Sequence, residues 1–211
     1  MINFKPGIEY AKDQDLNDPI AHCRKKFHIP KNSEGDEWLY FTGNSLGLQP
    51  KETKNHIKQE LDDWANLGVE GHFEAKNPWM PYHEFLTKTM AQIVGAKPIE
   101  VVIMNTLTTN LHLLMVSFYQ PTKLKHKILI ESDAFPSDRY AVETQLKFHG
   151  FDPSDSLIEW SPRKGEALLN IEDLESILKS QGEEIALLLV GGVNYYTGQY
   201  LDLKKIGQLG H

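Results

Sequence analysis

Cysteine is nearly absent: Cys23 is the only one in 211 residues. An intramolecular disulfide is therefore excluded, and so is a cysteine-rich metal cluster. Long apolar runs are missing too. The longest aliphatic stretch, Ile185 to Val190, falls far short of the roughly 20 residues that span a bilayer. The opening Met1-Ile2-Asn3-Phe4-Lys5-Pro6 lacks the charged-then-apolar profile of a secretory signal. Positive charge is sparse, with 22 Lys and Arg against 29 Asp and Glu and a net charge of -7. No basic stripe offers itself to nucleic acid or to an anionic membrane. These absences lead to the expectation of a soluble, cytoplasmic protein.

Several chemical signatures are lacking as well. There is no G-x-G-x-x-G, no Walker-type phosphate loop, no H-E-x-x-H and no G-x-S-x-G. The nine histidines are not spaced as metal ligands, so no metal is expected. Glu131 and Asp133 form an acidic pair with no further mark of a glycosidase dyad.

What is present is an ordinary core-forming composition, 40% hydrophobic, with two textures. Residues 1 to about 85 mix polar helix-like stretches with Gly, Pro and aromatic-rich turns. From about 90 onward short apolar runs alternate with longer amphipathic ones. Val101–Met104, Lys127–Ile130, Ser156–Trp160 and Ile185–Val190 read as strands. Helices are expected over Asn110–Tyr119, from Ser137 or Asp138 as cap to His149, over Ile171–Ser180 behind the N-cap Asn170, and after the cap Asp202. Gly150 suits a helix C-terminus. The all-aliphatic run at 185–190 is what a strand covered on both faces requires. Strand–helix alternation of this kind predicts an α/β domain with a mostly parallel sheet and helices on both faces. Ligands then bind at loops beyond the strand ends. A parallel unit should return to a further strand after the last helix, so the domain reads as incomplete at its C-terminal end.

Four stretches carry chemistry. Asn105-Thr106-Leu107-Thr108-Thr109-Asn110 lies between a strand and a helix, where free N–H groups, the helix dipole and threonine hydroxyls favour an anion. The same residues serve equally as helix caps. Phe135-Pro136-Ser137-Asp138 offers a phenyl face for a planar ring and a carboxylate for a protonated ring nitrogen, or else a hydrophobic plug and an N-cap. Phe41 to Pro50 forms a tight polar loop bounded by glycines and proline. Gly71-His72-Phe73, followed by Asn77-Pro78-Trp79, sets a loop histidine among aromatics.

Together these stretches resemble the kynureninase family. The resemblance rests on Tyr40-Phe41-Thr42-Gly43-Asn44-Ser45-Leu46-Gly47-Leu48-Gln49-Pro50, on Gly71-His72, and on Asn105 through Leu114 (NTLTTNLHLL). It continues with Ala134-Phe135-Pro136-Ser137-Asp138 and Val193-Asn194-Tyr195-Tyr196-Thr197-Gly198-Gln199. It runs in order from about residue 35 onward and covers about the first half of such an enzyme.

The resemblance implies an aminotransferase-like, fold type I architecture with pyridoxal 5'-phosphate as cofactor and a homodimeric assembly. Residues 1–88 would belong to a small domain with substrate-facing loops, and 89–211 would begin the large cofactor-binding domain. The implied reaction is hydrolysis of kynurenine or 3-hydroxykynurenine to alanine and anthranilate or 3-hydroxyanthranilate, in tryptophan catabolism toward NAD. By motif, Leu107 and Thr108 would bind the cofactor phosphate, Phe135 would stack on its ring, and Pro136, Ser137 and Asp138 would complete the cofactor site. Ser45 and His72 would face the aromatic end of the substrate. The family often has a hydroxyl residue where this chain has Gly191. None of Lys76, Lys127, Lys147 or Lys204 matches the family's Schiff-base lysine, which is expected beyond His211. No catalytic residue is therefore assigned in this chain, and the 211 residues alone are expected to be inactive. Two other readings stay open: a non-catalytic interaction module built on the same half-fold, and a related fold type I lyase.

Overall fold

The computed structural model describes residues 5–210. The readings at Met1–Phe4 and His211 lie outside the described residues. The chain divides into two compact units, Met1–Ile103 and Met104–His211.

The first unit is helical. It contains α1 (Ile8–Asn17), α2 (Thr53–Leu67), α3 (Gly71–Glu74) and α4 (Thr87–Val94), joined by short 3-10 turns. Gly68 ends α2 at φ +54 and Gly95 ends α4 in the left-handed region at φ +70; both conformations favour glycine. Few side chains of this unit are buried. Ala75 and Ala91 are, whereas Trp38, Phe41, Ile57, Leu61 and Trp64 stay exposed.

Val101–Met104, read as a strand, forms none. Its backbone is extended at Val101 (φ -124, ψ 133), but no partner pairs with it among the described residues. β-branched propensity alone does not make a strand without a neighbour to take its hydrogen bonds.

The second unit is the α/β part: α5 (Leu107–Phe118), β1 (Lys127–Glu131), α6 (Pro136–Phe148), α7 (Pro153–Ser156), β2 (Leu157–Trp160), α8 (Ile171–Gln181), β3 (Ile185–Leu189) and α9 (Leu203–Gly210). The sheet order is β2-β1-β3, all parallel. Stepping from β1 to β2 and then back past β1 to β3 reverses direction, so right-handed crossovers place α6 and α8 on opposite faces. Two cores result. Ile128 and Ile130 of β1 point into one, with Met115 and Tyr119 from the α5 region and Val142 and Leu146 of α6. Leu129 points into the other, with Trp160, Leu174 of α8 and Ile206 of α9. That is the period-two alternation of a strand buried on both sides.

Sequence expectations meet this structure in particular places. α6 starts earlier than expected, with Phe135 at the N-cap and Pro136 at the first helical position. Proline's fixed φ begins the helix there, so neither Ser137 nor Asp138 acts as the cap. α5 begins at Leu107 rather than Asn110. β3 is less covered than its composition implies. Only Ile185 of its five residues is buried, because among the described residues β3 pairs with β1 on one side and with no strand on the other. Asn170 caps α8 by accepting from Glu172 N at 2.9 Å, and Asp202 accepts from Lys205 N at 3.1 Å. Gly150 follows α6 at φ +83.

Candidate functional site

The direction of the chain reverses between β1 and β3. Loops leaving their carboxyl ends lead to opposite faces and open a crevice, the usual ligand position in an open parallel sheet. A cleft of about 240 Å³ lies there. Its floor is Ile130 and Glu131 from β1 with Leu189, Val190 and Gly191 from β3 and the residues after it. Its walls are Leu107 and Leu111 of α5, Ala134, Phe135 and Asp138 at the start of α6, and Val193 and Tyr195.

The start of α5 is not capped by a side chain. Thr106 occupies the N-cap with extended backbone (φ -75, ψ 162) but makes no side-chain cap bond. Its hydroxyl is 3.2 Å from that of Thr109 instead. The first N–H groups of the helix therefore remain available to an anion, where the helix dipole is favourable. Nearby, Asn110 donates to Asn105 O at 3.2 Å, and its Oδ1 is a buried acceptor without a partner.

Phe135 is half-exposed and meets Tyr195 edge-to-face at 5.3 Å, a favoured aromatic geometry. Asp138 is partly buried; its N–H donates to Phe135 O at 2.9 Å, and Ser137 Oγ donates to its carboxylate at 3.3 Å. Of the six residues expected at a cofactor, Leu107, Phe135 and Asp138 line one cleft, and Thr108, Pro136 and Ser137 adjoin them in sequence without lining it.

The two expected substrate contacts lie in the first unit. Ser45 is exposed in a turn where Ser45 N donates to Thr42 O at 3.0 Å, and Tyr40 Oη closes that turn on Leu46 O at 2.6 Å. His72 sits on α3, exposed, with Nδ1 2.8 Å from Val69 O. Its ring meets Trp79 edge-on at 5.5 Å. Trp79 is held in turn: Nε1 donates to Glu60 Oε2 at 3.1 Å, and Asn77 donates to Glu60 Oε1 at 2.8 Å.

A buried polar pair at the cleft went unassigned from sequence: Glu131, which lines it, and Asn194, which lies between the lining residues Val193 and Tyr195. Glu131, read only as half of an acidic pair with Asp133, is 9% exposed and accepts from Asn194 Nδ2 at 2.9 Å; Asn194 is 7% exposed. Asp133 is exposed, at φ +53 in the turn after β1, so the acidic residues part company. The available signal was a carboxylate ending an otherwise apolar strand, KILIE. Among the described residues no three His, Cys, Asp or Glu side chains converge as a metal site, and no helix is long and apolar enough to cross a membrane.

A parallel sheet with an uncapped helix terminus and an aromatic-walled cleft at its switch point defines an α/β protein whose cleft has the shape and chemistry to take a small molecule. Comparison with known proteins narrows the class. The chain is 54% identical over 208 residues to a kynureninase of Koribacter versatilis, 50% to one of Flavobacterium psychrophilum and 49% to one of Myxococcus xanthus. Each match covers 99% of this chain and 49% of the relative. The chain thus belongs with the N-terminal half of the kynureninases, and it spans about half the length of the curated relatives it matches. No protein-family model matches it.

Proposed function

We propose that this chain forms the phosphate- and ring-binding half of a kynureninase: a fold type I, pyridoxal 5'-phosphate-dependent hydrolase. It would cleave the β,γ carbon–carbon bond of kynurenine or 3-hydroxykynurenine, releasing alanine and anthranilate or 3-hydroxyanthranilate. The observation that carries this reading is the near-complete match of the chain to kynureninases. In the same proposal the protein is a cytoplasmic homodimer in the route from tryptophan to NAD. Residues 1–88 belong to its small domain, and 89–211 to its large one.

The chemistry of the cleft fits the cofactor. The uncapped turn at Leu107 and Thr108 offers N–H groups and a hydroxyl to a phosphate. The apolar lining with Phe135 suits a planar ring, and Asp138 supplies an anionic group in the same cleft. Pro136 stiffens the approach of Phe135, and Ser137 steadies the Asp138 carboxylate. When bound, pyridoxal phosphate supplies the electron sink for cleavage beside the substrate's amino-acid carbon. The residues named here bind and orient it, and the floor of Ile130, Leu189 and Val190 keeps bulk water from one side. Ser45 and His72 are assigned to the aromatic end of the substrate on the sequence match. The Schiff-base lysine is assigned to the half of the relatives that this chain does not span.

The test uses the protein as its gene encodes it. Pyridoxal phosphate is titrated by absorbance, and kynurenine and 3-hydroxykynurenine are assayed for release of alanine and the anthranilate. Phe135→Ala should weaken cofactor binding about tenfold by removing ring contact. Unchanged affinity would sink the stacking role. Cofactor binding with cleavage of a different amino acid would make the protein another lyase of the same fold. No cofactor binding would leave an interaction module.

A further inference from the structure

Glu131 is a carboxylate more than nine-tenths buried at the floor of the cleft, with an amide as its hydrogen-bond partner. Burying a charge this way is costly unless the surrounding groups are fixed to receive it. The receiving group is Asn194, and its other end organises a turn. Asn194 Oδ1 accepts from Tyr196 N at 3.0 Å, from Thr197 N at 2.9 Å and from Thr197 Oγ1 at 3.0 Å. Backbone bonds from Asn194 N to Gln199 O (2.9 Å) and Gly198 N to Asn194 O (3.0 Å) close the loop. Gln199 then clamps Leu169 through both its N–H and its carbonyl, each at 2.8 Å. Tyr195 rides on this turn, and its ring meets Phe135 edge-to-face.

Phe135 is itself four residues beyond Glu131 on the loop leaving β1. One buried hydrogen bond, donated by Asn194 to Glu131, therefore ties together the two loops that carry the aromatic pair. Glu131 Oε1, the oxygen Asn194 does not take, lies 3.3 Å from where a Cβ on Gly191 would stand. The absence of a side chain at 191 leaves that carboxylate its room.

We propose that Glu131 and Asn194 are positioning residues: they brace the 193–199 turn so that Tyr195 holds Phe135 in the orientation that receives a planar ring. This rests on the cofactor reading above. The brace works by shape, through an acceptor oxygen at residue 131, rather than by placing a charge against the ligand.

The experiment is a double-mutant cycle on pyridoxal phosphate affinity, measured in the protein as its gene encodes it, with thermal stability alongside. Asn194→Ala and Tyr195→Ala should each weaken binding about tenfold, and the double variant should be no weaker than Tyr195→Ala alone. Glu131→Gln keeps an acceptor for Asn194 and should stay within about twofold of the wild type. Should Asn194→Ala not fold, Thr197→Val, at an exposed position, removes one of the three bonds to Asn194. It should weaken binding roughly threefold, an effect that vanishes in the Tyr195→Ala background. Additive losses would overturn the brace, as would Glu131→Gln losing as much affinity as Asn194→Ala, or variants that lose stability while binding as well as wild type. A wild-type protein that does not bind pyridoxal phosphate would overturn the cofactor reading and this inference with it.

Discussion

Replacing Gly71 by alanine adds one methyl group where the structure has no space. An ideal Cβ at this position would lie 2.4, 2.6 and 2.8 Å from three ring carbons of Trp79. Carbon atoms rest at about 3.5–4.0 Å, so the ring must retreat by roughly 1 Å. It is not free to do so. Trp79 Nε1 donates to Glu60, its backbone N donates to Gly71 O at 3.3 Å, and Met80 N donates to His72 O at 3.1 Å. Overpacking of this kind costs about 1–3 kcal/mol, and loss of the Trp79–Glu60 bond adds about 1 kcal/mol. The expected destabilisation is thus about 2–4 kcal/mol, a fall in melting midpoint of roughly 5–10 °C for a chain of this size. Circular dichroism on heating measures it, and tryptophan emission should shift red as the ring leaves its seat. Gly43→Ala is the control: its Cβ would meet nothing within 4 Å, so its stability should stay within about 0.5 kcal/mol of wild type. If Gly71→Ala were as stable as Gly43→Ala with unchanged emission, the seating of Trp79 against α3 would be refuted. Because His72 stacks edge-on against the same ring, the substitution should also disturb the substrate assignment made for His72, read as a raised KM.

Two further outcomes follow from the α/β unit. Leu129→Ala empties a fully buried position at the centre of β1, facing Trp160 and α8, and should cost about 2–5 kcal/mol in a denaturant titration; a loss below 1 kcal/mol would mean that the core collapses around it. Burial pushes the Tyr119 phenol from its ordinary 10.0 up to about 12, and its hydroxyl donates to His126 O at 2.5 Å. A raised folded pKa means stability that is complete below pH 10 and is lost as pH rises from 10 to about 12. Tyr119→Phe should therefore be less stable at neutral pH by about 1 kcal/mol yet lose less between pH 10 and 12; parallel stability profiles for the two proteins would refute the burial of that proton.

The parallel α/β plan was legible because its signals are local and periodic. KILIE and IALLL are short apolar runs bounded by turn residues, and Asn170, Asp202 and Gly150 mark helix ends by their own side chains or by the lack of one. The segments that meet at the cleft, around Leu107 and around Phe135, were legible as loops following apolar runs. Val101–Met104 misled because a strand is a property of two segments, and its β-branched residues say nothing about whether a neighbour exists. The start of α6 misled because Ser137 and Asp138 are good caps in isolation, whereas Pro136 before them had already begun the helix.

What the sequence by itself determined is the alternation of strands and helices, the matching segments that tie the chain to the kynureninases, and the turns that open on the cleft. Those are properties of contiguous residues. Tertiary structure alone decided that β3 pairs, among the described residues, with β1 alone and is half-covered, that Gly71 exists to admit the ring of Trp79, and that Glu131 is paired with Asn194 rather than with Asp133. Each of these joins residues that are not neighbours in the chain, 8 positions apart for Gly71 and Trp79 and 63 for Glu131 and Asn194. Nothing in the local pattern can specify them, since a buried carboxylate and an exposed one are the same letter until packing determines which of them water can reach.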